Sequence, residues 1–394
     1  MNRLKKISAH RVQRAPDLFT RFLYHEIDWN QRLIIILGQR GAGKTTLLLQ
    51  RMKKEQEKSV YLTLDDIYFE ANRLINTIDV LAEEGVKVFI LDEVHRYEHW
   101  SKDLKSAYDN YPDIRLVVTG SSLLEVSKGQ ADFSRRSVIY NLPGLSFREF
   151  IELEHNQKFG MISLEDILQS HREISSQVTD KTAIQDAFKN YLQYGYYPFF
   201  REGKQIYPSN LREITHLILD VDVAPLEDLT HTTVRNMKKL MFVISQSVPF
   251  KPNISKLSER MDIPRNTILK LLDILERAAV LQLLKSDRKG ISYLQKPEKI
   301  YLGNTNLAYL FGNDRPDVGN LRETFFLNQI RVKHDVYASR FADFVVDEMF
   351  TFEIGGPSKT NHQIRDIPNA YIAADGIDGG SGNKIPLWLF GFLY

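Results

Sequence analysis

The sequence predicts an α/β protein of several domains built on a parallel sheet, and three stretches carry that expectation. An apolar run, Leu33-Ile-Ile-Ile-Leu37, leads into the glycine-rich loop Gly38-Gln39-Arg40-Gly41-Ala42-Gly43-Lys44-Thr45 and then a helix-forming run, Thr46-Leu-Leu-Leu-Gln50. About fifty residues on, the β-branched and aromatic run Val88-Phe-Ile-Leu-Asp92-Glu93 ends in two acids. A third, Ile114-Arg-Leu-Val-Val-Thr119, ends in Thr119-Gly-Ser-Ser122. With Val60-Tyr-Leu-Thr-Leu64 as another strand, these runs alternate with helical patterns over residues 1–145, which predicts parallel strands joined by crossover helices.

Each element also predicts a chemistry. Strand, glycine loop and helix start together aim backbone N–H groups and the positive helix end at one point, which suits a phosphate. Gly38 through Thr46 are therefore candidate nucleotide contacts, with Lys44 reaching the β- and γ-phosphates and Thr45 placing its hydroxyl on Mg²⁺. Arg40 either lies over phosphate or caps the site. This is the Walker A pattern, and the run ending at Asp92 and Glu93 is the matching Walker B. Asp92 is expected to hold the metal, and Glu93 to orient and deprotonate the attacking water. Thr119 is read as a sensor facing the γ-phosphate between the two Walker strands, or as a helix cap. Arg135 and Arg136 are either a finger offered to a neighbouring subunit or a surface basic pair.

Composition frames the rest. A chain of 394 residues with 43% hydrophobic content can build two to four domains with proper cores. A net charge of +2 gives no global pull toward nucleic acid or membrane, so such binding must come from a local patch. The absence of cysteine excludes disulfides and thiolate metal sites. Met1-Asn-Arg-Leu-Lys-Lys-Ile-Ser lacks an apolar core, and no run approaches the roughly 18 residues needed to span a bilayer, so a cytoplasmic location without membrane contact is expected.

Beyond residue 145 the pattern turns helical. Ser146-Phe-Arg-Glu149 offers a capping box, and residues 146–245 are read as a helical lid. Within them Tyr191-Leu-Gln-Tyr-Gly195-Tyr-Tyr-Pro198-Phe-Phe200 is either packing or a partner surface. Residues 246–300 are read as a winged helix-turn-helix: a helix over Ile254–Met261, a turn at Asp262-Ile-Pro264, a helix over Arg265–Ala278, and a hairpin pairing Val280–Leu284 with Ile291–Leu294. Residues 251–300 hold eleven basic residues against six acids. Arg265, Asn266 and Thr267 would meet base edges, and Arg288 and Lys289 phosphates, unless the module serves only for packing.

Residues 301–394 carry Glu323 on a helix, Asp343, Phe352-Glu353-Ile-Gly-Gly-Pro-Ser-Lys359 and Gln363, an order similar to a restriction-nuclease core. Such a core needs a lysine two residues after the glutamate, where Gly355 stands, so the domain is read as a degenerate α/β nuclease-like shell with Lys359 substituting from the loop. The final run, Ile385–Tyr394, is expected to be a buried strand or an oligomer contact.

Taken together, Gly-Gln-Arg-Gly-Ala-Gly-Lys-Thr-Thr-Leu-Leu, Leu-Asp-Glu-Val-His, Val-Thr-Gly-Ser-Ser and Leu-Pro-Gly-Leu-Ser-Phe-Arg-Glu-Phe resemble the prokaryotic AAA-type ATPases that carry a C-terminal domain of unknown function. The resemblance implies a P-loop NTPase core of AAA+ type, a winged helix and a nuclease-like tail, with Gly38 to Thr45, Asp92, Glu93 and Thr119 in the matching roles. It also favours ATP, since no guanine-reading Asn-Lys-x-Asp occurs. The expectation is an Mg²⁺-dependent ATPase that shifts its lid and winged helix, acts on DNA and forms a homo-oligomer. Its rivals are an ATP-holding, DNA-associated switch with negligible turnover and a nucleotide-gated nuclease.

Overall fold

The computed structural model describes residues 1–121, 133, 136–224, 229–245, 250–286, 296–312 and 316–394. The chain divides into two compact units, residues 1–143 and 144–394. The borders expected at 245 and 300 fall inside the second unit.

The first unit is built on five parallel strands, β1 (Leu33–Gly38), β2 (Ser59–Thr63), β3 (Val88–Asp92), β4 (Arg115–Gly120) and β5 (Val138–Leu142), in the order β2-β3-β4-β1-β5. Strands inside a parallel sheet read as unbroken apolar runs, and β1 and β3 are buried at every position. Helices α1 (Asn2–Arg14), α2 (Lys44–Lys53), α3 (Leu74–Glu83) and α4 (Trp100–Asn110) supply apolar faces, so that Leu4, Leu74, Ile78 and Leu104 share one core with Ile35, Leu62, Phe89 and Val118. After β1 the chain crosses to the far strand β2 and works back through β3 to β4, beside its starting point. Such a reversal leaves a crevice at the carboxyl ends of the strands, where α/β sheets take ligands. Register pairs Thr63 with Asp92 and Ile36 with Thr119, bringing those strand ends to one edge.

The second unit opens on the expected capping box. Ser146 caps α5 (Phe147–His155), its hydroxyl accepting from the Glu149 amide while Glu149 accepts from the Ser146 amide. Helices α6 (Leu164–Thr179), α7 (Ile184–Tyr194), α8 (Tyr207–Leu217) and α9 (His231–Ser245) follow. The aromatic turn is packing: Tyr191, Tyr196, Tyr197 and Phe200 are buried, and Phe147 and Phe150 lie against Tyr191.

Helices α10 (Ile254–Met261) and α11 (Arg265–Arg277) flank the expected turn, where Asp262 adopts a left-handed φ of 54° that a short polar side chain tolerates. The expected hairpin partner of Val280–Leu284, Ile291–Leu294, lies outside the described residues, as do Arg288 and Lys289. Strand β6 (Leu281–Leu284) pairs antiparallel with β7 (Lys299–Leu302). Strand β7 leads into α12 (Thr305–Phe311) and buries Ile300, Tyr301 and Leu302.

After α13 (Val318–Ile330) a second sheet forms from β8 (Val336–Ala338), β9 (Phe344–Val346), β10 (Phe350–Gly355), β11 (Ala370–Ala374) and β12 (Lys384–Pro386), in the order β12-β11-β10-β9-β8. Strands β8, β9 and β10 pair antiparallel, while β10, β11 and β12 run parallel. The C-terminal run is a strand only through Pro386; Leu387–Phe392 form a 3₁₀ helix. Its side chains are spent on this unit's own core, with the Arg148 Nε donating to the Tyr394 carbonyl at 3.0 Å, so an oligomer contact does not account for their apolar character. No helix among the described residues is long and apolar enough to cross a membrane.

Candidate functional site

The loop after β1 bends where only glycine bends cheaply. Gly41 and Gly43 hold φ of 82° and 98°, and Gly43 is the N-cap of α2. Gly38 answers a different demand: a Cβ there would lie 2.4 Å from the Leu142 carbonyl oxygen of the neighbouring strand β5. The buried Lys44 turns its ammonium back over the loop, donating to the carbonyls of Gly38 at 2.7 Å and Gln39 at 3.0 Å. Gln39 and Ala42 are buried, Arg40 and Thr46 half-buried.

Asp92 sits at the centre of the site. Its Oδ2 accepts from the Thr45 hydroxyl at 2.7 Å and from the Tyr61 hydroxyl at 2.7 Å, and its Oδ1 accepts from Thr119. Thr119 can reach it because β4 lies beside β3. The same hydroxyl accepts the Glu93 amide at 3.1 Å. Glu93 adopts a left-handed φ of 56°, and its carboxylate lies beside His95, whose Nε2 is 3.4 Å from Glu93 Oε2. Loop, Thr45, Asp92, Glu93 and Thr119 are thus one hydrogen-bonded assembly at the carboxyl edge of the sheet.

The donor set fits the magnesium ion that the loop implies. It is all oxygen, a hydroxyl and a carboxylate in contact, and Mg²⁺ in phosphate sites takes one or two carboxylates with the rest of its shell from waters and phosphates.

Three residues that sequence reasoning missed complete the assembly. Arg21, buried, donates to the carbonyls of Ala42 and, at 2.9 Å, Pro143, tying the loop to the end of β5. A lone arginine before the first strand carries no motif to betray this. Tyr61 is on the same face of β2 as Thr63, the partner of Asp92. Burial and the Asp92 carboxylate push its hydroxyl well above the usual tyrosine range, so it remains a donor. His95 stood in plain view beside the acids but carries no role in the motif. Arg136 pairs with Asp109 of its own unit at 3.4 Å, both partly exposed, and Arg135 lies outside the described residues.

The second unit gathers Glu323, Asp343, Glu353 and Lys359, and adds a residue that the sequence did not suggest. Lys299 from β7 lies between two acids, 3.0 Å from Glu323 Oε2 and 3.0 Å from Asp343 Oδ1. Tyr301 donates to Glu323 at 2.6 Å, and Asp343 accepts the Ile354 amide at 3.0 Å. Lys359 pairs with Glu353 and donates to Gln363 at 3.2 Å. Gly355 explains how: a Cβ there would meet the Lys359 stem at 2.7 Å, so the missing side chain makes room for the lysine from the loop. Burial, and next the Asp343 charge, raise Glu323; burial also raises Glu353, against the pull of Lys359. Burial lowers Lys299, but Glu323 and Asp343 more than offset it and the net shift is upward. Among the described residues no group of three or more His, Cys, Asp or Glu could hold a metal ion.

Arg265 and Asn266 are exposed and Thr267 is half-buried at the start of α11, the second helix of the helix–turn–helix pair.

Comparison with known proteins gives matches for both units. Residues 30–151 match a family described as an AAA domain, and residues 185–317 one described as a domain of unknown function. An uncharacterized protein, MJ1637 of Methanocaldococcus jannaschii, is 27% identical over 267 residues, 64% of this chain and 56% of its own length. The chain thus matches little more than half of that relative. Among solved structures, the Walker-type ATPase PABY2304 of Pyrococcus abyssi aligns with a TM-score of 0.44 at 11% identity, covering 75% of this chain and 96% of its own. The Aeropyrum pernix ORC1 protein, solved in complex with DNA, aligns at 0.32 and 11% identity, covering 78% and 92%.

Proposed function

We propose, from the premise that the P-loop region of this chain belongs to the AAA-type ATPases, that it binds ATP with Mg²⁺ at the loop after β1 and hydrolyses it. The observation that carries the reading is the chain of contacts from Thr45 through Asp92 and Thr119 to the Glu93 amide, set beside the amides that open α2. Those amides and the helix end would hold the phosphates. Lys44 supplies a buried positive charge beside them. Thr45 and Asp92 would hold the metal, which would supply positive charge beside the phosphates. Glu93, on its own turn, would take the proton of the attacking water as general base. Thr119 fixes both acids: its hydroxyl donates to one and accepts from the amide of the other.

Glu93→Gln tests this. Turnover should fall by about a hundredfold or more, the usual worth of a general base, with ATP binding retained. Phosphate release at the original rate would show that the base is another group, and no ATP binding by the unaltered protein would end the reading altogether. The rival switch, which holds ATP without turnover, would appear as Mg²⁺–ATP binding with no phosphate release in the unaltered protein.

DNA is proposed as a partner on the exposure of Arg265 and Asn266 at the head of α11 and on the basic surplus of residues 251–300. Salt-dependent binding of duplex DNA that Arg265→Ala weakens would support it. Hydrolysis is read as driving a change in the helical segment and helix–turn–helix pair, to be seen as altered amide exchange over residues 146–277 between ATP- and ADP-bound states. The lysines inside the Glu323 cluster favour a brace over a nuclease centre.

A further inference from the structure

We propose that Tyr61 is a positioning residue for the carboxylate of Asp92, and that Arg11 on α1 sets Tyr61, so that docking of the N-terminal helix and retention of the metal–nucleotide pair are coupled. This rests on the nucleotide site proposed above.

Tyr61 is buried, and its hydroxyl donates to the same Asp92 oxygen that receives Thr45. The carboxylate is therefore held from two sides, by α2 through Thr45 and by β2 through Tyr61. On its other side the Tyr61 hydroxyl accepts from Arg11 Nη1 at 2.9 Å, and that guanidinium lies 5.4 Å from the ring centre. A phenol has one proton to give and lone pairs to receive, so the Arg11 bond leaves the proton for Asp92. The helix is fastened at the same residue a second time, where the Tyr61 amide donates to the Ser8 hydroxyl at 3.0 Å. Two residues of α1 thus converge on a tyrosine that touches Asp92, the acid proposed to hold the metal. Partners of this kind fix a ligand's orientation, and their loss typically weakens metal affinity by about 10- to 100-fold.

The clean test is Tyr61→Phe, which removes one oxygen and leaves the ring. Mn²⁺ retention by the full chain, followed by the electron paramagnetic resonance of the free ion with a non-hydrolysable ATP analogue present, should weaken by about 10- to 100-fold. Binding of the analogue without metal should stay at the original level. Arg11→Met should move Mn²⁺ affinity in the same direction by less, about 3- to 10-fold, the worth of one hydrogen bond. Unchanged Mn²⁺ affinity in Tyr61→Phe overturns the inference, even if the variant melts earlier, because a merely structural tyrosine would do that. Equal loss with and without metal also overturns it, since the pocket rather than the carboxylate would then be at fault. If the unaltered protein retains no Mn²⁺ with the analogue, the nucleotide reading fails first and this inference falls with it.

Discussion

The two units each hold carboxylates that are buried or half-buried, and they treat the negative charge in opposite ways. In the first, Asp92 is hydrogen-bonded by three neutral hydroxyls, from Thr45, Tyr61 and Thr119. Hydroxyls fix where the oxygens point without cancelling their charge, which stays available to a cation. In the second, Lys299 and Lys359 stand among Glu323, Asp343 and Glu353, and the charge is settled by ammonium groups belonging to the chain. A buried charge must be paired or hold a metal. The first centre leaves its charge to the cation proposed above, and in the second the chain's own lysines stand beside the acids. Similar residue types therefore make a candidate reaction site in one unit and a cluster paired by the chain's own lysines in the other.

The largest test removes one of those lysines. Lys299→Met takes one partner from a half-buried ionic group and leaves Glu323 and Asp343 without it, so the full chain should lose more than the roughly 1 kcal/mol of a surface pair and up to about 3–5 kcal/mol, the cost of breaking a fully buried one, in urea unfolding of the second unit. The unpaired acids should then accept a divalent ion, seen as Mn²⁺-dependent recovery of that stability. A loss under about 1 kcal/mol, the ordinary worth of a surface pair, would break the contrast between the centres.

A smaller effect is expected from Thr119→Val in the first unit. Thr119 is fully buried, and valine keeps the shape while leaving the Glu93 amide without its acceptor. An unsatisfied buried donor costs about 1–3 kcal/mol, and the destabilisation should appear in the first unit alone. Mg²⁺-dependent nucleotide affinity should fall too, since Asp92 loses one of its three guides. Unaltered stability and affinity would mean that neutral hydroxyls are not what orients Asp92.

What was legible in the sequence divides along the same line. The loop, Asp92, Glu93 and Thr119 could be read because each lies within a contiguous run whose composition also announces its strand. Tyr61 could not, since its contact exists only once β2 is known to lie beside β3. Lys299 was hidden for a related reason: it is 24 residues from Glu323 and 44 from Asp343, so only the fold brings the three together. The strand that carries it, β7, pairs with β6 and buries Ile300 and Tyr301, a contact no contiguous run announces. The substitution of Lys359 for the residue at 355 was foreseen as a possibility of reach, but the reason that it reaches, the space left by Gly355, is visible only in three dimensions. Local patterns thus specified the elements and the first centre, while contacts set by tertiary packing specified the second.

The finest test uses pH, because the two units carry shifts of opposite sign. In the first, the Asp103 carboxyl is raised by burial but held net below its usual 3.8 by Arg73, Tyr97 and the Ile75 amide; Asp66 is held low chiefly by the Tyr68 amide. A depressed carboxyl contributes stability that is present above the unfolded value and lost as pH falls through the folded one. The first unit should therefore feel little from these groups between pH 7 and about 4, and weaken below 3.8. In the second, Glu323 and Glu353 lie above their usual 4.5, chiefly through burial, so the folded unit takes up protons before the unfolded chain does. Their contribution is full below 4.5 and diminishes as pH rises through the folded values, and acidification from neutral toward 4.5 should firm the second unit while leaving the first unmoved. Amide protection measured separately over residues 1–143 and 144–394 of the intact chain, corrected for intrinsic exchange rates, reads the two responses side by side. Parallel responses in both units would mean that the charges of the second centre are not buried together as described, and Lys299→Met should enlarge the divergence by removing the cation that opposes proton uptake there.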